Sequence, residues 1–207
     1  MLDMDPNKTA LVIVDMLNDF VRKDGALVVP GAIDLIPRQK KLLEAARESG
    51  MMVVYLTDNH LPDDPEFDMW GAHAVVGTEG AEVIDELEPS SNERVIPKRR
   101  YSGFFGTDLD LSLREAGIET IILVGVLTNI CVMYTSADAS AKDYNVIVVS
   151  DATGTTSDEI HDFALGQIRD VHGSEVVKTD ELLREIDLET PSISISRLTS
   201  DQPDVAS

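Results

Sequence analysis

The chain of 207 residues contains a single cysteine, Cys131, and its surroundings favour chemistry. Cys131 follows an apolar run in the stretch GVLTNIC, where a helix is expected to begin. Unpaired backbone amides at a helix start carry partial positive charge, which favours thiolate over thiol. A lone cysteine is more commonly a small apolar core residue, so its position leaves both a nucleophile and a filler role open.

Other reactive side chains follow the remaining apolar runs. Asp15 ends the first run, Asp58 and His60 follow the second, and Lys98 ends the third. In open parallel sheets, ligands bind beyond the carboxyl ends of the strands, near the point where strand order reverses. We therefore expect these side chains at the same rim as Cys131.

Asp15, Lys98 and Cys131 can form a nucleophilic triad if they meet at that rim. Asp15 is the natural proton acceptor, because a carboxylate at an apolar strand end needs charged or hydrogen-bonding partners. A nucleophile, a base and an orienting charge are sufficient, so histidine is not required. Spacing alone leaves alternatives open: Asp15 can cap a helix, and Lys98 in PKRRY can be one of three exposed cations.

Short apolar runs alternate with amphipathic segments along the chain, and this pattern predicts the fold. The runs do not alternate with polar residues, which indicates strands buried on both faces of a parallel sheet. The expected strands are 9–15, 51–58, 94–98, 120–126, 145–151 and 175–179, and the expected helices are 32–49, 107–117, 129–143 and 157–173. We predict one α/β domain, 1–187, a doubly wound (Rossmann-like) six-stranded parallel sheet with helices on both faces, followed by a polar C-terminal tail or arm, 188–207.

Composition bears on the partners of the chain. Lys and Arg number 17 against 38 Asp and Glu, a formal net charge of −21. Nucleic acids and acidic membrane surfaces are bound mainly through Lys and Arg, so neither is an expected partner. The acidic excess is typical of a solvated surface, with adaptation to high salt as the alternative. No glycine-rich dinucleotide motif follows the first run, so no nucleotide cofactor is expected.

The N-terminal segment MLDMDPNKTALVIVDML bears on the compartment. It has acidic flanks and an aspartate inside its apolar run, which neither a secretory signal nor a membrane span would carry. The chain is therefore expected to be cytoplasmic.

Three segments closely resemble the isochorismatase-like cysteine hydrolases, a superfamily that includes nicotinamidases: ALVIVDMLNDF, VIPKRRYSGFFGTDLDLSLREAGIETIILVGVLTNICV and TSADASAKDYNVIVVSDA. The resemblance runs from about residue 8 to residue 180. It implies a catalytic triad of Asp15, Lys98 and Cys131. It also implies a cis peptide before Leu127 and an oxyanion hole formed by the backbone amides of Leu127 and Cys131. Isochorismatases proper lack the nucleophilic cysteine, so Cys131 argues against that activity.

The resemblance implies hydrolysis of a small-molecule amide through a thioester. Cys131 attacks the carbonyl, two backbone amides hold the oxyanion, and Asp15 returns a proton to the departing amine or ammonia. Asp15 then activates water, while Lys98 keeps Asp15 and the thiolate charged. Nicotinamide, converted to nicotinate and ammonia, is the first expected substrate. Another small amide or carbamoyl compound is the alternative, and a catalytically silent binding or assembly module is the rival of another class.

The pattern DNH…WGAH resembles the metal site of nicotinamidases, in which an Asp-x-His pair and a later His hold a divalent ion. The resemblance implies Asp58, His60 and His73 as ligands of zinc, manganese or iron, which oxygen and imidazole ligands suit. Loop histidines without a function are the alternative. His161 and His172 lie in the last predicted helix and are expected to be structural or surface residues.

The substrate pocket is less well defined by the resemblance. Nicotinamidases commonly have Trp between the Asp and the His and Pro after the His, where this chain has Asn59 and Leu61. Phe20, Trp70 and Tyr101 are expected to line an apolar substrate pocket, with core packing as the alternative for Phe20. The resemblance also implies a homo-oligomer.

Overall fold

A six-stranded parallel sheet forms the centre of the computed structural model, which describes residues 4–189. The strands are β1 Thr9–Val14, β2 Met52–Asp58, β3 Arg94–Lys98, β4 Thr120–Val126, β5 Asn145–Gly154 and β6 Glu175–Val177. Their order is β3-β2-β1-β4-β5-β6, and every pair of neighbours is parallel. The predicted fold class, a doubly wound α/β sheet, is confirmed.

Helices cover both faces of the sheet. The α-helices are α1 Asn18–Val21, α2 Ala32–Ser49, α3 Phe67–Trp70, α4 Leu109–Glu115, α5 Met133–Ala141, α6 Asp158–Asp170 and α7 Thr179–Glu189. Short 3₁₀ turns lie at Pro6–Lys8, Glu79–Ala81 and Asp85–Leu87, and a π-helical turn spans Thr128–Val132. Within residues 4–189, none of the helices combines the length and apolar character needed to cross a membrane.

The two apolar layers are separated by the alternation of side chains along each strand. In β1, Leu11 and Ile13 pack in the layer that contains residues of α2 and α7, whereas Val12 packs in the layer that contains residues of α4, α5 and α6. Successive side chains of a strand point to opposite faces of its sheet. A strand covered on both faces therefore favours apolar residues at successive positions, as in the unbroken ALVIV that follows Thr9 in β1.

The C-terminal part of the domain differs from the sequence prediction. The last strand was expected to reach residue 179 but ends at Val177, and Thr179 begins α7, which was not predicted. Both the backbone N–H and the hydroxyl of Thr179 donate to Asp151 Oδ1, each over 2.8 Å, and these bonds fix the start of α7. Of the predicted tail, 188–207, the first two residues end α7, and the rest lies outside the described residues.

Candidate active site

A cavity of about 290 Å³ opens at the carboxyl ends of the central strands. The order of the strands reverses between β1 and β4, because the chain first builds the sheet outward through β2 and β3 and then outward through β5 and β6. Ligands of open α/β sheets bind at such a switch point. The residues that line the cavity are Asp15, Phe20, Leu27, Val28, Val29, Asp58, Glu66, Trp70, His73, Tyr101, Leu127, Asn129, Ile130, Cys131, Thr156 and Ile160.

Three buried ionisable side chains, Asp15, Asp58 and Lys98, meet beside Cys131 and are here called the charged cluster. Lys98 Nζ lies 2.8 Å from Asp15 Oδ2 and 2.5 Å from Asp58 Oδ1. The same ammonium donates to Cys131 Sγ over 3.4 Å. Lys98 is 1% exposed, so the alternative that it is a surface cation is wrong. The sheet brings together the three residues expected to form a triad.

Asp15 is held at its strand end by the backbone of the neighbouring strand β2. Its φ of 52° lies in the left-handed region, which aspartate tolerates better than most residues. Its N–H donates to the carbonyl of Leu56 over 2.9 Å, and its Oδ1 accepts the N–H of Asp58 over 2.7 Å. These contacts to β2 leave Oδ2 facing Lys98.

Burial and mutual charge set the proton affinities of the cluster. Burial raises the pKa of Asp15 to about 6, with Asp58 adding to the rise and Lys98 opposing it. Burial disfavours the charged forms of Asp58 and Lys98, but nearby charges outweigh it. Lys98 and His60 lower the pKa of Asp58, and Asp15 and Asp58 raise the pKa of Lys98. At neutral pH, the cluster therefore offers a carboxylate, Asp15, whose pKa is well matched to accepting and returning a proton.

The expected lowering of the Cys131 pKa is wrong. Burial raises the pKa of the Cys131 thiol well above its ordinary value; Lys98 opposes this rise, while Asp15 and Asp58 reinforce it. The sequence pattern indicated a helix start and placed Asp15 and Asp58 at the same rim, but it did not show that the sulfur would be fully buried beside both carboxylates. The resting side chain is therefore a thiol, and its proton needs an acceptor before the sulfur can attack.

The segment 127–132, here called the β4 turn, carries Cys131 into the cavity. The peptide between Val126 and Leu127 is cis, which confirms the geometry implied by the resemblance. The Leu127 carbonyl accepts the N–H groups of Ile130 over 3.0 Å and Val132 over 3.2 Å, which closes the turn. Leu127 and Cys131, the expected oxyanion-hole residues, both line the cavity.

Gly125 allows β4 to approach β1 closely just before this turn. Its φ is 114°, and a Cβ at this position would lie 2.0 Å from the carbonyl oxygen of Val14. Only glycine fits such a backbone contact. The close approach brings the β4 turn next to Asp15, the residue that follows Val14.

A hydrogen-bond network of hydroxyl, imidazole, amide and carbonyl groups supports the β4 turn. The Thr128 hydroxyl lies 2.9 Å from His161 Nδ1, and His161 Nε2 lies 3.1 Å from the carbonyl oxygen of Ser150. A carbonyl can only accept, so Nε2 carries a proton, and in the neutral ring Nδ1 then accepts from Thr128. Asn129 Oδ1, next in the turn, accepts the hydroxyl of Thr155. The histidine that was expected to be structural or on the surface thus contacts the turn that holds Cys131.

Asp58, His60 and His73 are arranged as a group that can hold a metal ion. Their candidate ligand atoms all lie within 4.8 Å of one another. Asp58 Oδ2 is 3.7 Å from His60 Nε2 and 4.0 Å from His73 Nε2. Each Nδ1 faces an oxygen instead: Asp64 Oδ2 at 3.3 Å from His60 and the Gly71 carbonyl at 2.8 Å from His73. This outer support is typical of metal-binding histidines, because it leaves each Nε2 available as a ligand.

The chemistry of this donor set fits a divalent ion. His60 Nε2 is buried and has no hydrogen-bond partner among residues 4–189, which is costly for a polar atom unless something else binds it. One carboxylate and two imidazoles suit zinc, manganese or iron. These loop histidines are not exposed as the alternative assumed, since His60 is 0% and His73 3% exposed.

Asp64 fixes His60 and was not identified from the sequence. Its carboxylate also accepts from Arg99 Nη2 at 2.8 Å and Arg100 Nη1 at 3.2 Å. Burial opposes its ionisation, but the backbone N–H of Glu66 and the Arg99 side chain outweigh burial and hold the pKa of Asp64 well below its usual range. The two arginines of PKRRY therefore neutralise the carboxylate that orients a candidate metal ligand.

The walls of the cavity contain the three aromatic residues expected there, Phe20, Trp70 and Tyr101. Trp70 Nε1 donates to the Tyr101 hydroxyl over 3.0 Å, which ties the loop before residue 80 to the segment after β3. The Phe20 ring lies 5.6 Å from the His73 ring and also belongs to the apolar layer of α2, so its two proposed roles coincide. Glu66 is an acidic wall residue that sequence reasoning missed, and burial raises its pKa.

Comparison with known proteins agrees with the fold. The sequence model of the isochorismatase domain matches residues 9–181. The chain belongs to the isochorismatase family, and the predicted resemblance to isochorismatase-like hydrolases is confirmed.

Three relatives indicate the range of this family. N-carbamoylsarcosine amidase from Thermoplasma acidophilum is 43% identical with a TM-score of 0.77, covering 84% of this chain and 97% of that one. Pyrazinamidase of Pyrococcus horikoshii, solved in complex with zinc, is 31% identical with a TM-score of 0.78, covering 83% and 99%. A protein of Arabidopsis thaliana named a probable inactive nicotinamidase is 33% identical over 164 residues, 74% of this chain and 84% of that protein. Family members are amidohydrolases that act on C–N bonds other than peptide bonds.

Proposed function

We propose that the protein is a cysteine amidohydrolase that cleaves the C–N bond of a small-molecule amide, with nicotinamide as the first substrate. The observation that carries this proposal is the position of Cys131 Sγ at the cavity, 3.4 Å from the ammonium of Lys98, which itself lies 2.8 Å from Asp15 Oδ2. A nucleophile, a proton acceptor and a fixed positive charge are thereby available to one bound carbonyl group.

The first half of the reaction forms a thioester. Asp15 accepts the proton of the Cys131 thiol as the sulfur attacks the amide carbonyl carbon, and the carbonyl electron pair moves onto oxygen. The backbone amides of Leu127 and Cys131 stabilise this oxyanion, and Lys98 stabilises the negative charge on sulfur as it develops. Asp15 then gives its proton to the amide nitrogen, the C–N bond breaks, and ammonia leaves.

The second half hydrolyses the thioester. Asp15, again ionised, accepts a proton from a water molecule as the water oxygen attacks the thioester carbon. The C–S bond breaks, the carboxylic acid leaves, and the proton held by Asp15 returns to Cys131. The pKa of Asp15, about 6, supports both directions of transfer, because such a group both gains and loses a proton near neutral pH.

Asp58, His60 and His73 would hold a divalent ion, for which the zinc complex of the Pyrococcus pyrazinamidase is the supporting comparison. When bound, the ion supplies a Lewis acid that can anchor a substrate ring nitrogen or a water molecule. Asp58 also receives Lys98 at its other oxygen, so this one carboxylate links the ion site to the charged cluster. The aromatic walls and the cavity volume of about 290 Å³ suit a single aromatic ring.

A carbamoyl compound is the second candidate substrate, favoured by the 43% identity to N-carbamoylsarcosine amidase. It would react by the same steps, since its C(=O)–NH₂ group also releases ammonia. A catalytically silent protein is the rival of another class, and one relative is named as probably inactive. The presence of Asp15, Lys98 and Cys131 close together at the cavity argues for turnover.

The test is ammonia release from nicotinamide, pyrazinamide and a set of N-carbamoyl compounds. Cys131→Ala is expected to lower kcat/KM by at least about 10³-fold, the scale of losing a covalent nucleophile. Because the chain has one cysteine, mass spectrometry after iodoacetamide treatment reports on Cys131 alone. No turnover of any substrate together with no alkylation would reject the enzyme, whereas turnover unaffected by a chelator would reject only the catalytic metal.

A further inference from the structure

We propose that Asn129 determines substrate specificity: its side-chain NH₂ group donates a hydrogen bond to an acceptor of the substrate other than the scissile carbonyl. This specificity rests on the proposed function, because it concerns the same cavity. Asn129 belongs to the β4 turn, just before Cys131 in the chain, and it lines the cavity. A substrate held at Cys131 therefore lies beside the segment that carries this side chain.

The carboxamide of Asn129 is oriented by the segment that follows β5. Its Oδ1 accepts the hydroxyl of Thr155, which is a buried residue. The oxygen and nitrogen of a carboxamide point in different directions, so this bond turns the NH₂ group away from Thr155. Among residues 4–189, no hydrogen bond engages Asn129 Nδ2, and the residue is half-buried at the cavity. Both N–H bonds are therefore available to a ligand.

The other side-chain N–H donors in the described part of the cavity wall are already engaged. Trp70 Nε1 donates to the Tyr101 hydroxyl over 3.0 Å, and His73 Nδ1 donates to the Gly71 carbonyl over 2.8 Å. The described lining contains no lysine or arginine. Within it, Asn129 is thus the side chain whose N–H groups have no protein acceptor.

Binding of a substrate makes this donor selective. In the open cavity, water can accept from Asn129 Nδ2, and a substrate ring displaces that water. A substrate acceptor at this position replaces the lost bond, whereas a C–H group leaves the donor unpaired, which costs more than the bond contributes. Sites built around a hydrogen bond therefore reject analogues that lack it. The preferred substrates are amides with a second acceptor, such as a further ring nitrogen or carbonyl oxygen.

The test compares three amides of the same shape. Pyrazinamide and pyrimidine-5-carboxamide each keep the ring nitrogen of nicotinamide and carry one further nitrogen, beside the carboxamide carbon in the first and at the second meta position in the second. The candidate ion site therefore meets the same nitrogen in all three. For each of the two, kcat/KM is divided by that of nicotinamide, with zinc-loaded wild type and Asn129→Leu at a single pH. Differences in intrinsic reactivity cancel between the two proteins.

The expected result is a fall of about tenfold in this ratio in Asn129→Leu, for the amide whose further nitrogen reaches residue 129. Leucine has the shape of asparagine but no donor, so that amide loses its bond and nicotinamide loses its penalty. Asn129→Asp keeps an oxygen for the Thr155 hydroxyl and replaces the NH₂ group by a second oxygen. The ratio should fall at least as far, because a carboxylate oxygen then faces the lone pair of the ring nitrogen.

Thr156→Val is the matched control. Thr156 also lines the cavity, but it is exposed. Water satisfies its hydroxyl whether or not a substrate is bound, so both ratios should stay within about twofold of wild type. A fall in Thr156→Val instead of Asn129→Leu would overturn the proposal, since the hydroxyl of Thr156 would then be the donor.

Dissociation constants of the three amides give a readout that needs no turnover. They are measured with Cys131→Ala, alone and combined with Asn129→Leu, and the same fall in relative affinity is expected. A fall without any hydrolysis by wild type would reject the proposed function but support the role of Asn129.

Two further results would overturn the role of Asn129. The first is an unchanged ratio for both amides in Asn129→Leu and Asn129→Asp. The second is an equal loss of turnover on all three amides, because Asn129 would then act on the scissile carbonyl or on the β4 turn itself.

Discussion

The two sides of the cavity floor are held by different kinds of interaction. On the side of β1, β2 and β3, the charged cluster and the candidate metal ligands place buried charges within 2.5 to 4.0 Å of one another. On the side of β4, the β4 turn is held by neutral hydrogen bonds from Thr128 to His161 and from Thr155 to Asn129. Cys131 lies where the two sides meet. The first side can exchange protons or bind an ion, whereas the second positions the backbone and offers neutral hydrogen-bonding groups.

The histidines show this difference most directly. His60 and His73 each have Nδ1 against a protein oxygen and Nε2 toward Asp58. His161 has both ring nitrogens against protein oxygens, so it has none left for a ligand. The same residue type is therefore a candidate ligand or a support according to whether one nitrogen remains available.

The largest expected effect is on the charged side, from Lys98→Met. It leaves the carboxylates of Asp15 and Asp58 buried without the ammonium between them, which should lower the free energy of unfolding by about 3–5 kcal/mol. Urea denaturation measures this change. Lys142→Met is the control, because its ammonium lies 3.2 Å from Asp110 at the surface and should contribute under about 1 kcal/mol. Equal effects of the two variants would contradict the contrast between buried and exposed charge.

The next largest effect is on zinc affinity, and it distinguishes His73, a candidate ligand, from His172, which lies outside the candidate metal site. His73→Gln should weaken zinc binding by at least about tenfold, since even loss of an outer-shell partner costs that much. Competition with a chromophoric chelator measures the affinity. His172→Gln should leave it unchanged, because His172 Nδ1 faces Ser136, away from the proposed ligands. A similar loss in both variants would mean that zinc binds elsewhere.

A smaller effect, on kcat, is expected from changes on the side of β4. His161→Gln removes the acceptor of the Thr128 hydroxyl and should lower kcat about five- to tenfold, the scale of one hydrogen bond, without changing zinc affinity. Thr128→Val should cause the same loss. Because both changes remove one interaction, the double variant should be no slower than either single variant. Additive losses would show that His161 and Thr128 act separately.

The smallest expected effect is a pH dependence of stability from His172. Burial lowers the pKa of His172 below its ordinary value of 6.5, so the folded chain prefers the neutral ring. The contribution of the neutral His172 ring to the free energy of unfolding is complete above the pKa of the unfolded state. It is lost as the pH falls below that pKa toward the lower pKa of the folded state. Urea denaturation of wild type and His172→Gln between about pH 8 and pH 5 should show a slightly smaller loss in the variant. Parallel pH profiles would contradict this assignment.

The fold and the meeting of the candidate triad residues were predictable because each depends on a strand end. Asp15, Lys98 and Cys131 follow or end runs whose unbroken apolar character fixes both the strand and its place inside a covered sheet. Asp58 and His60 were predictable for the same reason. The resemblance added the cis peptide at Leu127, which no propensity argument supplies.

The residues that sequence reasoning missed belong to irregular segments. Asp64 and Glu66 lie between β2 and α3, where no periodicity indicates which side chains turn inward. The predicted direction of the Cys131 pKa was also wrong, because the pKa depends first on the burial of the sulfur and then on its distances to three charged groups from other strands. For α7, the apolar spacing of Leu182 and Ile186 was a usable signal, but the short strand before it gave no clear boundary.

The arrangement of the charged cluster has a consequence for how the chain acquires activity. Asp58 lies 43 residues from Asp15, Lys98 40 from Asp58, and Cys131 33 from Lys98, each at the end of a different parallel strand or in the segment that follows it. Parallel pairings between distant segments form late, since their loops must close before the contacts stabilise them. Until β1, β2, β3 and β4 are all in place, these charges stay in water and the thiol has no proton acceptor. Regained turnover would therefore report completion of the sheet, lagging behind helix formation during refolding.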